Sequence, residues 1–361
     1  MDNAGTAAAL QAFVGDSKTP GLQYVAVDRS STLIECHVGL ADVAARRPMT
    51  SDETLMAYSM SKTITAAAVL QLVEAGRVGL DDPVARFVEW QPYGEAITVR
   101  QLLSHTSGTP NPIPLRWVHA ARDHDRFDER AALDEVLRAN PRVAFRPGTK
   151  YAYSNIGYWL LGFIVERAGG QPFTSYVTTH VLDRLGISRN QIGYAVADPA
   201  CHAAGYLEKY SFTNLFKRLL IDKALIGDYE GPWLRIRDHY LNGPAFGGLV
   251  GTAVSFSRFL QDQLRAHSAL FGDATRALFY EQQHVSGRPI AMTLGWHMGS
   301  TGGMAFYFKE GGGGGFHCLM RLYPAQGIGT VIMSNATAFP VHEALSAVDP
   351  ILLTASARSS S

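Results

Sequence analysis

Ser59 and Lys62 stand three residues apart in Tyr58-Ser59-Met60-Ser61-Lys62, at the start of an apolar-periodic run from Thr63 to Ala75 that predicts a helix. Residues three apart on a helix share a face, so this spacing sets a hydroxyl beside an amine: a nucleophile with its own base. A serine in the first turn also lies among unpaired backbone N–H groups at the positive end of the dipole, which suits an oxyanion. The amine can act only when uncharged, a state favoured by burial in an apolar cleft and by a nearby cation. Serine and lysine also meet at this spacing by chance on helix surfaces, so the pair alone decides nothing.

Two later segments supply what the pair lacks. In Pro147-Gly148-Thr149-Lys150-Tyr151-Ala152-Tyr153-Ser154-Asn155 a turn signal leads into an apolar helical pattern, Ile156 to Ala168, and leaves Tyr153 and Asn155 at a helix start. A phenol whose ionised form is favoured by Lys62 and a second lysine could relay protons, and Asn155 offers a donor and an acceptor to a substrate carbonyl or to the lysine. The competing reading of Tyr153 is an ordinary packed aromatic. The second segment, Lys309-Glu310 followed by five glycines, Gly311 to Gly315, separates the strand-like Met304 to Phe308 from the strand-like Phe316 to Leu322. Glycines at a strand edge allow a substrate backbone close approach and expose N–H donors. A phosphate-binding loop would need a closing Gly-Lys-Ser/Thr and a following helix, and neither is present.

These three segments stand in the order Ser59-x-x-Lys62, Tyr153-Ser154-Asn155, Lys309-Glu310-Gly311, and with them the chain resembles the serine β-lactamase and penicillin-binding-protein-like hydrolases, in particular the class C β-lactamase branch and its family VIII carboxylesterases. The resemblance runs over residues 10 to 340, through Gly79-Leu80-Asp81-Asp82-Pro83, Leu102-Leu103-Ser104-His105-Thr106-Ser107-Gly108, Gly247-Gly248-Leu249 and Leu294-Gly295-Trp296. It implies that Ser59 is acylated, that Lys62 and Tyr153 handle its proton, and that Asn155 positions the substrate. It further implies an oxyanion hole from the amides of Ser59 and Gly312, with Lys309 as the second cation. Glu310 departs from the family's Lys-Thr-Gly and Gly313 replaces a further hydroxyl. Unless Glu310 is turned away, its carboxylate would repel the carboxylate of a β-lactam or a D-Ala-D-Ala stem. The expected activity is therefore a carboxylesterase acting on small neutral acyl esters, with an acyltransferase, an amidase or D-aminopeptidase, and a weak β-lactamase as alternatives, and a non-catalytic sensor as the reading from another class.

The 361 residues, 47% hydrophobic and 18% charged, can bury a large core. Thirty-two basic and 32 acidic residues give zero net charge, which argues against nucleic acid or an anionic membrane as partner. No apolar run is long enough to span a bilayer, and Met1-Asp2-Asn3-Ala4-Gly5 shows no leader, so the expected location is cytoplasmic. Cys36, Cys201 and Cys318 are odd in number and widely spaced, as unpaired thiols in a reducing compartment are, and Cys318 reads as a small core residue. Asp123-His124-Asp125 reads as a solvated charged loop, and neither a metal nor a cofactor is expected. A Ser-His-Asp triad lacks its Gly-x-Ser-x-Gly elbow, which leaves His105 and His297 as structural or groove-lining residues.

A helix at Ala4 to Val14 and strands at Leu22 to Val27 and Thr32 to Val38 open the chain. Strands at Met304 to Phe308, Phe316 to Tyr323 and Gly329 to Met333 and a helix from Val341 to Leu352 close it. The expected fold is α+β: an antiparallel sheet from both ends (1–62 and 265–361) flanked by helices, with an inserted, mostly helical lobe (63–264) and the site in the groove between them. Ile113, Leu115, Trp117 and Val118, and Tyr210, Phe212, Phe216, Leu219, Leu220 and Ile221, are candidates for an acyl pocket or lid over a small-molecule ester or amide; helix core or a homodimer contact is the competing reading.

Overall fold

The computed structural model, which describes residues 3–112, 117–215 and 222–359, pairs the two ends of the chain into one seven-stranded antiparallel sheet. Its strands are β1 (Gly21–Val27), β2 (Thr32–Asp42), β3 (Arg47–Pro48), β4 (His297–Thr301), β5 (Met304–Gly313), β6 (Phe316–Tyr323) and β7 (Ile328–Ser334), in the spatial order β4-β5-β6-β7-β1-β2-β3. β1 and β7 pair centrally, with Val25 opposite Val331, and every residue of both is buried. Strands buried on both faces read as continuous apolar runs because helices cover them on each side. Helices α1 (Asn3–Gly15) and α5 (Val341–Ser359) pack together on one face. Of the remaining long helices, α2 (Ser61–Glu74), α3 (Asn155–Gly169) and α4 (Ala253–Leu264), α4 lies on the other face, where Leu260 meets the backbone of Gly329 closely enough to exclude any side chain there. Each Val or Leu so buried contributes roughly 1.5–3 kcal/mol. The fold is α+β.

The buried side chain of Gln23 on β1 donates to the carbonyls of Thr50 (2.7 Å) and Glu53 (2.7 Å) and accepts from the amide of Ala253 (2.8 Å). One satisfied amide thus ties the sheet to α4 and to the segment that runs into Ser59. α2 is buried on all sides from Ser61 to Leu72 and packs against α3, so it forms the centre of the helical region rather than an amphipathic cover.

Several elements differ from the sequence reading, which did not include the edge strands β3 and β4. α4 covers the sheet although it falls within the expected helical insert. β5 does not stop at Phe308 but pairs through the glycines to Gly313 opposite Phe316, because the ladder with β6 supplies the order that glycine lacks. The middle of the chain also carries strands: a ribbon pairing Val118–Ala120 with His239–Leu241, and a sheet of Gly205–Glu208, Trp233–Ile236 and Ile226–Glu230. Each is only three to five residues long, too short for a readable alternation.

Candidate active site

Ser59 sits in a 3₁₀ turn, Tyr58–Met60, directly before α2. The expected nucleophile therefore precedes the α-helix rather than lying within it, and the turn is sharpened by Tyr58, whose φ of +44° is left-handed. The following residues fasten a second segment alongside. Ser61 Oγ accepts from the amide of Leu249 (3.0 Å), and Thr65 Oγ1 donates to the carbonyl of Ala245 (2.7 Å). The backbone between them is thereby aimed at α2, and Lys62 Nζ reaches the carbonyl of Phe246 at 2.6 Å.

Lys62 has two further partners, Asn155 Oδ1 at 2.7 Å and Ser59 Oγ at 2.9 Å. A carbonyl and an amide oxygen can only accept. An uncharged amine spends its two N–H bonds on them and leaves its lone pair toward the serine hydroxyl, which is the arrangement a general base needs. Asn155 is held by Asn111, whose Oδ1 accepts from both the backbone amide (3.0 Å) and the side-chain Nδ2 (3.1 Å) of Asn155. Ser154 is the N-cap of α3, accepting from the amide of Gly157 (3.1 Å), and this cap fixes Tyr153 and Asn155 on either side of the helix start. Tyr153 donates its hydroxyl to Ser59 Oγ at 2.6 Å.

Burial, followed by the charge of Lys309, holds Lys62 well below the ordinary value of 10.5. Burial also brings Lys309 down to about 7, and its Nζ has no hydrogen-bond partner among the described residues. The expectation of a Tyr153 phenolate in the resting site is corrected: burial raises this phenol, and its bond to Ser59 only partly offsets that. His105 is wholly buried with its ring 4.4 Å from that of Tyr153, and its Nδ1 accepts from the amide of Ser154 (3.2 Å). His297 bonds the hydroxyl of Tyr151 (3.0 Å) and is driven down to about 3 by burial and then by Lys309. Both histidines back the Tyr153 segment, as structural groups.

The glycines serve the protein's own backbone. A side chain at Gly311 would stand 2.1 Å from the carbonyl oxygen of Ala57 and 2.9 Å from the amide of Ser59, so β5 can run beside the nucleophile turn only without one. Gly312 then lines the cavity next to Ser59, the place expected for the oxyanion amide. Of the residues expected to bind substrate, Asn155 and Gly312 line that cavity, whereas Lys309, Glu310 and Gly311 are not among its described lining residues. Successive side chains alternate across a strand, so with Lys309 and Gly311 inward Glu310 points to the opposite face. There its two oxygens bond His317 Nε2 (2.7 Å) and His342 Nε2 (3.0 Å), which hold the carboxyl far below its ordinary value. Repulsion of substrate carboxylates by Glu310 therefore has no geometric basis.

The cavity has a volume of about 460 Å³. Val118, Leu207, Leu225, Ile236, Leu241 and Phe246 form its apolar wall, and Tyr58, Asn111, His239 and Thr337 join Ser59, Tyr153 and Asn155 as its polar groups. Neither Asp, Glu, Lys nor Arg is among its described lining residues. Of the pocket candidates in the sequence, Val118 is in place, Tyr210 is 91% exposed and elsewhere, and Ile113, Leu115, Phe216, Leu219, Leu220 and Ile221 lie outside the described residues. Asn111, the Phe246 carbonyl, Tyr58 and Thr337 were not anticipated. Tyr58 adjoins the nucleophile and could have been flagged; a carbonyl leaves no trace in residue type.

Esterase EstB of Burkholderia gladioli is 37% identical over 181 residues, which is 46% of this chain and 45% of that protein. A penicillin-binding protein of Bacillus subtilis is 29% identical over 169 residues, 46% of this chain and 37% of that one. The matched stretches thus span less than half the length of either relative. Among solved structures, the octameric penicillin-binding protein homologue from Pyrococcus abyssi superposes with a TM-score of 0.80 at 22% identity over 98% of this chain and 78% of its own. The D-amino acid amidase from Ochrobactrum anthropi SV3 does so with 0.77 at 20% over 99% and 100%. At these identities both similarities establish the fold alone. The family comparison covers residues 6–349, nearly the whole chain, and by it this protein belongs to the Beta-lactamase family.

Proposed function

We propose that this protein is a serine hydrolase that forms an acyl-Ser59 intermediate, and that its substrates are neutral esters with an apolar acyl group. The observation that carries the proposal is a serine oxygen 2.9 Å from a depressed lysine and 2.6 Å from a phenol, at the wall of a cavity whose described lining has no charged side chain. Lys62 takes the Ser59 proton as Oγ attacks the carbonyl, and the amides of Ser59 and Gly312 receive the oxyanion. Tyr153 passes its proton to the leaving alkoxide. The phenolate that results is balanced by the newly formed Lys62 ammonium and by Lys309. Water then attacks the acyl-enzyme and returns a proton to Tyr153, while Lys62 returns its proton to Ser59 Oγ.

The similarity to Esterase EstB supports an ester. An amino acid amide would bring an ammonium group into a cavity with no described carboxylate to meet it, which disfavours that reading. A panel of p-nitrophenyl esters of increasing acyl length, an amino acid p-nitroanilide and nitrocefin, assayed with and without an added alcohol, tests the proposal. The expected result is a burst of p-nitrophenol, preference for apolar acyl groups, and loss of turnover and of phosphonate labelling in Ser59→Ala. A fully active Ser59→Ala would remove the serine from the mechanism, and dominant transfer to the added alcohol would make the protein an acyltransferase.

A further inference from the structure

The glycine segment that carries the Gly312 amide has no side chains of its own to hold it, and glycine is the residue with most conformational freedom to lose. The ladder with β6 orders it as far as Gly313, and two hydroxyls from distant parts of the chain hold it at and beyond that point. Tyr58 Oη donates to the carbonyl of Gly314 at 2.8 Å and shares that proton with His239 Nε2 at 3.0 Å, the Nδ1 of the same ring being spent on the Arg237 carbonyl. Thr337 Oγ1 donates to the carbonyl of Gly313 at 2.8 Å and accepts from the amide of Gly315 at 2.7 Å. The Tyr58 ring also occupies the space beside Gly313, where an added side chain would come within 2.3 Å of it. On the other side of Gly312, the close contact of Gly311 with the Ala57 carbonyl sets the approach of the strand. Gly312 is therefore fixed between a steric stop and two hydrogen-bonding clamps. The left-handed backbone of Tyr58 is what allows one residue to border the nucleophile and reach across to the glycine turn.

We propose that the hydroxyls of Tyr58 and Thr337 are positioning groups for catalysis, which hold the glycine segment so that the Gly312 amide faces the developing oxyanion at Ser59. The inference rests on the acyl-Ser59 reading above. Neither residue donates to the reacting atoms. Both act on the transition state through the peptide groups they clamp, where a displacement of about 1 Å can cost 10²-fold in rate. A group acting in this way changes kcat and leaves ground-state binding of a small ester nearly untouched.

The test compares wild type with Tyr58→Phe, Thr337→Val, Thr337→Ser and the Tyr58→Phe/Thr337→Val pair. It measures kcat and KM for p-nitrophenyl butyrate, the rate of phosphonylation of Ser59, and thermal unfolding. Phenylalanine keeps the ring beside Gly313 and valine keeps the shape of threonine, so the folds should persist. The expected result is a loss of about 10-fold in kcat for each hydroxyl removed and about 10²-fold for the pair, the lower end of the roughly 10²–10³ that loss of a whole oxyanion donor costs. KM should stay within about 2-fold, phosphonylation should slow in step with kcat, and Thr337→Ser should restore the rate. Unchanged kcat in the pair with a normal melting curve would overturn the proposal, as would a loss confined to KM, or loss in Thr337→Ser equal to that in Thr337→Val. Full turnover in Ser59→Ala would instead refute the acyl-serine reading and take this inference with it.

Discussion

The two faces of β5 are built on opposite electrostatic rules. On the inner face, Lys309 and Lys62 lie buried with no carboxylate partner, and one of the two amines has no hydrogen-bond partner among the described residues. On the outer face the ionisable groups form a bonded chain: Glu310 bridges His317 and His342, His342 Nδ1 approaches Arg321 Nη2 at 3.5 Å, and Arg321 meets buried Asp349 at 3.2 Å. Pairing of this kind stabilises a fold modestly. Unpaired buried amines resist protonation, and that resistance makes Lys62 able to take a proton. One residue of register separates the two regimes.

The comparison breaks most completely through the inner face itself. Lys62→Ala is expected to lower kcat by about 10³-fold or more and Tyr153→Phe by about 10²–10³-fold, with the double variant far from additive because the groups act as one unit. Full additivity in steady-state kinetics would mean that the two residues work independently. Lys309→Met should separate reactivity from stability. Loss of the neighbouring cation lets Lys62 keep its proton to higher pH, so the acidic limb of kcat/KM should move upward, with a loss of about 10-fold at pH 7.

Stability should move the other way. The folded value of Lys309, about 7, lies below its unfolded value of 10.5, so the unfolded chain binds the proton more readily and stability rises with pH across that window. The penalty is therefore largest at pH 7 and below. Replacement by Met is expected to stabilise the protein there by about 1–3 kcal/mol, the cost of an unsatisfied buried polar group, and to gain progressively less toward pH 10. Calorimetry that showed a loss at pH 7 would mean that Lys309 is well paired.

The outer face predicts smaller effects. Glu310→Gln should leave kcat/KM within about 3-fold and lower stability by about 0.5–1 kcal/mol, a figure kept low because the side chain is 40% exposed and screened by solvent. The carboxyl is depressed below its ordinary value of 4.5, so its contribution is present above that pH and fades as the pH falls below it. Denaturation curves of the two proteins should then converge in acid. The smallest effect expected is that of Glu310→Thr on nitrocefin, where no gain should appear. An increase of 10-fold or more would return Glu310 to the substrate side.

The convergence of Ser59, Lys62, Tyr153 and Asn155, with Lys309 close by, was legible because an i to i+3 spacing and a helix cap carry that geometry in the sequence. The central sheet was legible from strands of seven or more residues with consistent apolar patterning. The direction of Glu310 was not, since alternation relates it to Lys309 only once the strand is known to continue through the glycines. The Phe246 carbonyl and Asn111 were hidden for a different reason: the first is brought to Lys62 by tertiary contacts of Ser61 and Thr65 with a segment some 180 residues away, and the second meets Asn155 from a loop 44 residues earlier. The Leu207, Leu225 and Ile236 wall comes from two strands and a 3₁₀ turn too short to announce themselves. The protonation state of Tyr153 depends on burial, which no motif encodes.

The central claim is that Lys62 is uncharged in the resting site at neutral pH, and the pH dependence of Ser59 phosphonylation by a p-nitrophenyl phosphonate measures this directly. A rate already near its plateau at pH 7 to 8, with its acidic limb well below the ordinary lysine value of 10.5, is the predicted result. A rate that climbs steadily to a limb near pH 10 would show Lys62 to be an ordinary ammonium and would contradict it.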